Sequence, residues 1–134
     1  MHHKPKKSLG QNFLKSQAAL AAIIRAGELD RKDIVLEIGP GKGALTEKLL
    51  QHAGTVIAIE KDNELFNFLT EKFSSEIASG KFIILNDDVL EFDETKYFKK
   101  NPYKIIANIP YNITGAILRK FLSSDTQPER MVLL

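Results

Sequence analysis

The chain has 134 residues, the size of one domain, and 43% of them are hydrophobic, which is enough to build a core. It contains no cysteine, which excludes disulfides and thiolate metal sites and favours a cytoplasmic location. The formal net charge is only +2, and no apolar run approaches the about 20 residues that a membrane-spanning helix needs. We therefore expect a cytoplasmic protein that does not contact a membrane.

The first predicted segment is a basic arm over residues 1–15, which contains Lys4, Lys6, Lys7 and Lys15 and no acidic residue. Basic arms of this kind commonly contact phosphates, although a solvated tail that only aids solubility is the alternative. The arm also carries two adjacent histidines close to the amino terminus, where we expect no metal site. Residues 16–134 are predicted to form one domain.

Five predicted strands alternate with helices along this domain. The strands are short apolar runs typical of buried strands, and the helices show apolar residues at helical spacing. We predict strands at residues 34–38, 55–59, 81–85, 103–107 and 130–134, and helices at residues 16–26, 44–52, 63–74, 94–99 and 113–122. This alternation predicts an α/β fold with a parallel sheet, helices on both faces and right-handed connections.

The first strand leads into the glycine-rich loop Gly39-Pro40-Gly41-Lys42-Gly43, directly before a predicted helix. Glycines let the backbone approach a ligand closely at the amino end of a helix. The loop fits the dinucleotide-binding fingerprint, with Gly39, Gly41 and Ala44 in the three small positions. A tight strand-to-helix turn is the alternative, but such a turn explains two glycines rather than three within five residues.

Two carboxylates follow the next two strands. Glu60 ends the second strand, where a carboxylate can accept hydrogen bonds from both hydroxyls of a ribose. Asp88 ends the third strand, where a carboxylate can accept from the amino group of an adenine. Glu60 as a surface acid, and Asp88 as a helix cap or a solvated acid beside Asp87, are the alternatives. Because ligands of open α/β sheets bind at the carboxyl ends of the strands, we expect one crevice for an adenosine here.

The fourth strand leads into the turn Asn108-Ile109-Pro110-Tyr111. The amide carbonyl of Asn108 can accept a hydrogen bond from an exocyclic amine, and Pro110 stiffens the turn. The ring of Tyr111 offers a flat face on which a nucleobase can stack. The turn therefore predicts a second base-binding position in the same crevice, although Asn and Pro are also common in ordinary turns.

Two bases in one crevice fit methyl transfer from S-adenosylmethionine to a nucleobase nitrogen. The amino nitrogen of adenine is a poor nucleophile, because its lone pair is delocalised into the ring. We expect the side-chain carbonyl of Asn108 and the backbone carbonyl of Ile109 to accept its hydrogens, so that the lone pair can point at the methyl carbon. Positioning of this kind can contribute about 7–11 kcal/mol.

These motifs, in this order, resemble the rRNA adenine dimethyltransferases. The resemblance rests on residues 7–14 (KSLGQNFL), 37–43 (EIGPGKG) and 108–111 (NIPY), together with Glu60 and Asp88, and it spans nearly the whole chain. The most similar branch dimethylates two adjacent adenines near the 3′ end of small-subunit rRNA. The resemblance implies a Rossmann-like class I S-adenosylmethionine-dependent methyltransferase that acts in ribosome biogenesis on small-subunit rRNA or the pre-ribosomal small subunit.

The resemblance also implies a role for individual residues. It implies that the methyl donor is bound by seven residues: Asn12, Leu14, Gly39, Gly41, Glu60, Asp88 and Asn108. Asn12 and Leu14 would close over the donor, and Gly39 would contact its methionine part through the backbone. The resemblance implies that Tyr111 stacks on the target adenine. It assigns RNA phosphate to Lys4, Lys6 and Lys7.

Members of this family continue past the fifth strand with two more strands and a small helical domain that helps to bind RNA. Residues 131–134 are an apolar strand at the end of this sequence. We therefore expect a partial domain, truncated after the fifth strand, of a longer protein that is a monomer when full length.

Three other functions fit parts of the same pattern. The macrolide-resistance branch, which modifies one adenine of large-subunit rRNA, shares the Asn108–Tyr111 turn, while residues 9–12 favour the small-subunit branch. An NAD-dependent oxidoreductase would use the glycine loop and Glu60 equally well, but it gives Asp88 and the turn no role. A non-enzymatic RNA-binding or assembly protein would keep the fold for its surface and its basic arm.

Overall fold

A computed structural model describes residues 17–109 and 111–134 of the chain. Its strands are β1 (Ile34–Ile38), β2 (Thr55–Ile59), β3 (Phe82–Leu85), β4 (Lys104–Ala107) and β5 (Arg130–Leu133). Its helices are α1 (Gln17–Gly27), α2 (Ala44–His52), α3 (Asn63–Lys72), α4 (Ser74–Ala78), α5 (Glu94–Phe98) and α6 (Tyr111–Leu122). The strands form one parallel sheet in the order β3-β2-β1-β4-β5, which confirms the predicted α/β fold.

Helices cover both faces of the sheet. Residues of α1, α2 and α3 share one buried cluster with Val35 and Val56, and residues of α5 and α6 share another with Leu36 and Ile105. Successive strand residues point to opposite faces, so each strand contributes to both clusters. This explains why the strands read as continuous apolar runs rather than as alternating ones.

The path of the chain through the sheet creates a switch point. From β1 the chain moves outward through β2 to β3, and it then crosses to β4 on the other side of β1. We call the edge formed by the last residues of the strands the carboxyl edge, and the opposite one the amino edge. Because Ile38 pairs with both Ile59 and Ala107, the residues after β1, β2 and β4 are neighbours at the carboxyl edge.

Several predicted boundaries differ from the structure by one or two residues; the last helix, for example, begins at Tyr111 rather than at residue 113. Two of these differences have identifiable reasons. The helix predicted at residues 63–74 ends at Lys72, because Phe73 leaves the helical conformation (φ −109°, ψ 30°) before α4 begins. The Phe73 ring instead packs edge-on against Phe82, with ring centroids 5.2 Å apart. Tyr103 was expected in the fourth strand but lies before it, where its hydroxyl donates to the Thr126 carbonyl at 2.6 Å.

The carboxyl end of α1 is fixed at the amino edge. Lys104 Nζ donates to the carbonyls of Gly27 and Glu28 at 3.2 and 2.8 Å and pairs with Asp33 Oδ2 at 3.0 Å. Arg130 pairs with Glu28 at 2.8 Å. A cation at this end satisfies the last carbonyls of the helix and complements its dipole. Gln17, at the other end of the helix, is about 16 Å away along the axis.

Candidate functional site

The glycine loop presents its backbone at the carboxyl edge. Gly39, Gly41 and Gly43 have φ values of +64°, +61° and +91°, a region that favours glycine. A Cβ on Gly41 would meet nothing within 4 Å, so the space beside this residue is open. The Gly41 N–H donates to Glu60 Oε1 at 3.2 Å, and this bond joins the loop to the end of β2.

The sequence suggested Ala44 as the third small position of the loop, but in the structure the residue that needs to be small is Gly43. A Cβ on Gly43 would lie 2.7 Å from Phe73 and 3.1 Å from Leu69, whereas Ala44 is exposed. The close approach therefore lies between the start of α2 and the end of α3, and the fingerprint alone does not reveal which residue it involves.

Glu60 is the buried carboxylate of the site. It is 6% exposed, so the alternative of a surface acid is wrong. Its Oε1 accepts from the Gly41 N–H at 3.2 Å, and its Oε2 accepts from the Asp62 N–H at 3.0 Å. A carboxylate offers about four lone-pair positions, so both oxygens keep capacity to accept further hydrogen bonds.

Asp88 does not end the third strand, which stops three residues earlier at Leu85. Its Oδ1 accepts from the Leu90 N–H at 3.0 Å, and its Oδ2 lies 3.3 Å from Lys61 Nζ. The Leu90 N–H and the Lys61 ammonium hold the pKa of Asp88 below its ordinary value. Asp88 therefore stays charged at neutral pH, and its side chain also stabilises the turn at residues 89–91. No helix begins at this turn, so the alternative of a helix cap is wrong.

The backbone of the Asn108 turn is held between two strand ends. The Ile109 N–H donates to the Leu134 carbonyl at 3.2 Å, and the Leu134 N–H donates to the Ala107 carbonyl at 3.1 Å. A Cβ on Gly39 would lie 4.0 Å from the Asn108 carbonyl oxygen, so the turn adjoins the glycine loop. The Asn108 side chain is half-buried and has no hydrogen-bond partner among the described residues.

The structure does not describe the side chains of the other predicted site residues. Asn12, Leu14, Lys4, Lys6, Lys7 and Pro110 lie outside the described residues. Tyr111 is described only as the first residue of α6, so its stacking role stays a prediction. The structure thus brings together Gly39, Gly41, Glu60 and Asn108 at adjacent strand ends, with Asp88 joined to Lys61 beside them.

The sequence reasoning overlooked a buried acid under the loop. Glu37, in β1, is 1% exposed and accepts a hydrogen bond from Thr46 Oγ1 in α2. Burial, reinforced by the nearby Glu60, raises the pKa of Glu37 to about 8, although the Thr46 hydrogen bond acts in the opposite direction. Glu37 is therefore mostly protonated at neutral pH. The signal for it was a single acid within the apolar run of β1.

Two further polar residues at the carboxyl edge were also not singled out. Asn86 Nδ2 donates to the Glu60 carbonyl at 2.9 Å, and Lys61 forms the ion pair with Asp88. Neither residue stands in a recognisable motif, and their contacts depend on the parallel arrangement of β2 and β3.

Other features of the described residues lie away from this site. Two depressions, of about 490 and 430 Å³, both border Arg31 and Lys81 at the amino edge of the sheet. Within residues 17–109 and 111–134 we find no cluster of acids and histidines suited to a metal ion. None of the described helices combines the length and apolar character needed to cross a bilayer.

Comparison with protein families gives a match over nearly the whole chain. A sequence model described as "Ribosomal RNA adenine dimethylase" matches residues 2–134. A curated relative, "Ribosomal RNA small subunit methyltransferase A" of Dehalococcoides mccartyi, is 46% identical over 132 residues, which are 98% of this chain and 44% of the relative. The chain spans about half the length of the curated relatives that it matches.

Solved structures with related folds also include RNA-modifying and adenosine-modifying methyltransferases. The 23S rRNA methyltransferase ErmE is 32% identical, with a TM-score of 0.75 over 88% of this chain and 46% of that protein. A dimethyladenosine transferase from Plasmodium falciparum is 31% identical, with a TM-score of 0.72 over 88% of this chain and 41% of that protein. Both likenesses confirm the Rossmann-like methyltransferase fold that the motifs predicted.

Proposed function

The chain belongs to the ribosomal RNA adenine dimethylase family, and on that premise we propose the function of the full-length protein. It transfers methyl groups from S-adenosylmethionine to the exocyclic amines of two adjacent adenines near the 3′ end of small-subunit rRNA. Its partner is that rRNA or the pre-ribosomal small subunit. It acts in the cytoplasm in ribosome biogenesis, as a monomer.

One observation carries the proposal. The glycine loop, Glu60 and the Asn108 turn meet at adjacent ends of parallel strands, where Gly41 bonds to Glu60 and Gly39 adjoins Asn108. In sheets of this kind, ligands bind outside the carboxyl ends of the strands at the switch point, which here lies between β1 and β4. A nucleoside-shaped donor and an amine acceptor would therefore meet at one place.

The residues of the carboxyl edge suit S-adenosylmethionine. Glu60 keeps acceptor positions for ribose hydroxyls, and Asp88, charged and partly exposed, can accept from the amino group of adenine. The open space beside Gly41 lets a ligand approach the loop backbone, with Gly39 next to it. When bound, S-adenosylmethionine supplies an electrophilic methyl group.

The Asn108 turn then orients the acceptor. The side-chain carbonyl of Asn108 and the backbone carbonyl of Ile109 accept the two hydrogens of the adenine amine, which directs the nitrogen lone pair toward the methyl group. Because the backbone of Leu134, just after β5, bonds to Ala107 and to Ile109 on either side of Asn108, this orientation needs little reorganisation. No strong base is needed before attack, since the proton can leave afterwards.

The amino-terminal arm and the ring of Tyr111 complete the proposed site. The arm, residues 1–15, directly precedes α1, and the family match over residues 2–134 supports a role for it in the same site. Asn12 and Leu14 then cover the donor, while Lys4, Lys6 and Lys7 bind RNA phosphates. Tyr111 stacks on the target adenine after Pro110 has set the turn.

Methylation of large-subunit rRNA is the second candidate, because ErmE, a 23S rRNA methyltransferase, matches with a TM-score of 0.75. The identity of 46% to a relative named for the small subunit favours the first candidate. Membership of the family argues against an NAD-dependent oxidoreductase, and calorimetry with NAD and S-adenosylmethionine checks this directly.

Primer extension on both rRNAs distinguishes the candidates. The full-length protein is incubated with S-adenosylmethionine and either small ribosomal subunits or large-subunit rRNA. Primer extension then detects the product, because dimethylated adenines stop the extending polymerase. We expect a stop at two adjacent adenines near the 3′ end of small-subunit rRNA. A stop confined to large-subunit rRNA would contradict the proposed substrate, and no stop in either would contradict the activity.

A further inference from the structure

The side chain of Asn86 links the end of β3 to the end of β2 through hydrogen bonds. Its Nδ2 donates to the Glu60 carbonyl at 2.9 Å and, more weakly, to the Lys61 carbonyl at 3.4 Å. We propose that Asn86 is a positioning residue of the donor site, which fixes the backbone at Glu60 and Lys61 and thereby aims the Glu60 carboxylate. This inference rests on the proposed function, since it assigns Asn86 to the donor site described there.

The hydrogen bond from Asn86 replaces one that the sheet no longer provides. The Glu60 N–H makes the last bond across to β3, to the Leu85 carbonyl at 2.9 Å. Because β3 ends at Leu85, the Glu60 carbonyl lies beyond the ladder and needs a donor from elsewhere. The Asn86 amide supplies that donor, so the backbone of Glu60 is held on both sides.

The direction of two acidic groups depends on this short segment. The Glu60 carboxylate reaches the N–H groups of Gly41 and Asp62, which it can do only while the backbone at residues 60–62 keeps its course. Lys61, held at its carbonyl, reaches Asp88 at 3.3 Å. Asn86 therefore acts on the ribose acceptor directly through the backbone and on the adenine acceptor through Lys61.

An amide is the suitable group at this position. Asn supplies two N–H donors, whereas an aspartate of the same shape would turn acceptor oxygens toward two carbonyls. The aspartate would also add a negative charge beside Asp87 and Asp88. The substitution Asn86→Asp therefore removes the positioning bonds with almost no change in volume.

The test measures donor affinity and turnover separately in the full-length protein. For N86D we expect the dissociation constant for S-adenosylmethionine, from calorimetry, to rise about tenfold, as loss of a hydrogen bond and added repulsion imply. The turnover number at saturating donor should change less than about threefold, because the Asn108 turn is untouched. Asn67→Asp makes the same charge change at an exposed position of α3 and serves as the matched control.

A second variant guards against a folding defect. Asn86→Ala deletes the donor without adding charge, and we expect it to weaken donor binding about threefold with little change in melting temperature. If both variants bind the donor as tightly as N67D, the positioning role is wrong while the proposed function stands. Equal losses in affinity and turnover, with a lowered melting temperature, would mean that Asn86 is only structural. A wild-type protein that does not bind S-adenosylmethionine would overturn the proposed function and this inference together.

Discussion

The two edges of the sheet both carry charged side chains, but these side chains have different partners. At the amino edge, Lys104, Asp33, Arg130 and Glu28 pair with one another or with the last carbonyls of α1. Among the described residues of the carboxyl edge, Glu60 accepts only from backbone N–H groups, and Asn108 has no side-chain partner. Paired charges at the amino edge stabilise the domain, whereas acceptors with remaining capacity at the carboxyl edge suit a ligand.

This comparison shows that burial alone does not identify a site. The side chains of Lys104 and Asp33 are only 13% and 14% exposed, and Glu60 is similarly covered, yet we assign function to Glu60 alone. The difference lies in what each group can still accept or donate. Substitutions at the carboxyl edge should therefore change donor binding or methyl transfer, and those at the amino edge should change stability.

The largest effect is expected for Asn108→Ala in the full-length protein. Loss of the side-chain carbonyl removes one of the two groups that we propose to orient the acceptor amine, so methyl transfer should fall at least about 100-fold. Donor binding should weaken only partly, because Glu60 and Asp88 remain. A methylation assay and calorimetry measure the two effects, with Asn101→Ala, at an exposed turn, as the control. Unchanged methylation would rule out the role of Asn108.

A smaller loss is expected for Glu60→Gln. The amide keeps the volume but turns an N–H₂ group toward the N–H of Gly41 or Asp62, and it removes the charge that would accept from the ribose. Hydrogen bonds to charged groups are worth about 1.5–3 kcal/mol, so the dissociation constant for S-adenosylmethionine should rise about 10- to 100-fold. Glu64→Gln, on the exposed face of α3, is the matched control. Equal affinities of the two variants would remove Glu60 from the donor site.

At the amino edge, Lys104→Met should lower the stability of the domain and leave donor affinity almost unchanged. The substitution leaves Asp33 and the carbonyls of Gly27 and Glu28 without their cation, and it should lower the free energy of unfolding by about 2 kcal/mol. Donor affinity of the folded protein should stay within about twofold of the wild type. Urea denaturation measures the stability, with Lys96→Met, at an exposed position of α5, for comparison. A large loss of donor affinity at full stability would mean that the two edges are not functionally separate.

The last prediction concerns the pH dependence of stability and involves no ligand. Glu37 has a folded pKa of about 8 against an ordinary value of 4.5, so between these values the native state holds a proton that the unfolded state has lost. The free energy of unfolding should therefore fall as the pH rises from about 5 to about 8. Glu37→Gln, which stays neutral, should show a shallower fall in urea denaturation at several pH values. An identical slope for the variant and the wild type would show that Glu37 is already ionised at neutral pH.

The fold was largely predictable because its signals are local. Five apolar runs alternate with helical segments, and the strands are correct to within one residue at each end. The break at Phe73 was not predictable in this way, because that ring packs close to Gly43 and against Phe82, which lie in other elements of the fold.

The candidate site was predictable only where its residues stand in motifs. Gly39, Gly41, Glu60 and Asn108 follow strands directly, and parallel strands bring their ends together. Asp88 was misplaced by three residues because the polar turn after Leu85 was read as part of the strand end. Glu37, Lys61 and Asn86 were overlooked, since their roles depend on burial or on hydrogen bonds between neighbouring strands.

The central claim is that donor and acceptor adenines meet at the carboxyl edge. A crystal structure of the full-length protein with S-adenosylhomocysteine and adenosine would test it most directly. We expect the donor ribose at Glu60, the donor adenine amine at Asp88, and the adenosine amine within hydrogen-bond distance of the Asn108 side-chain carbonyl. Binding of the two ligands in separate regions, or of either one at the amino edge, would contradict the account.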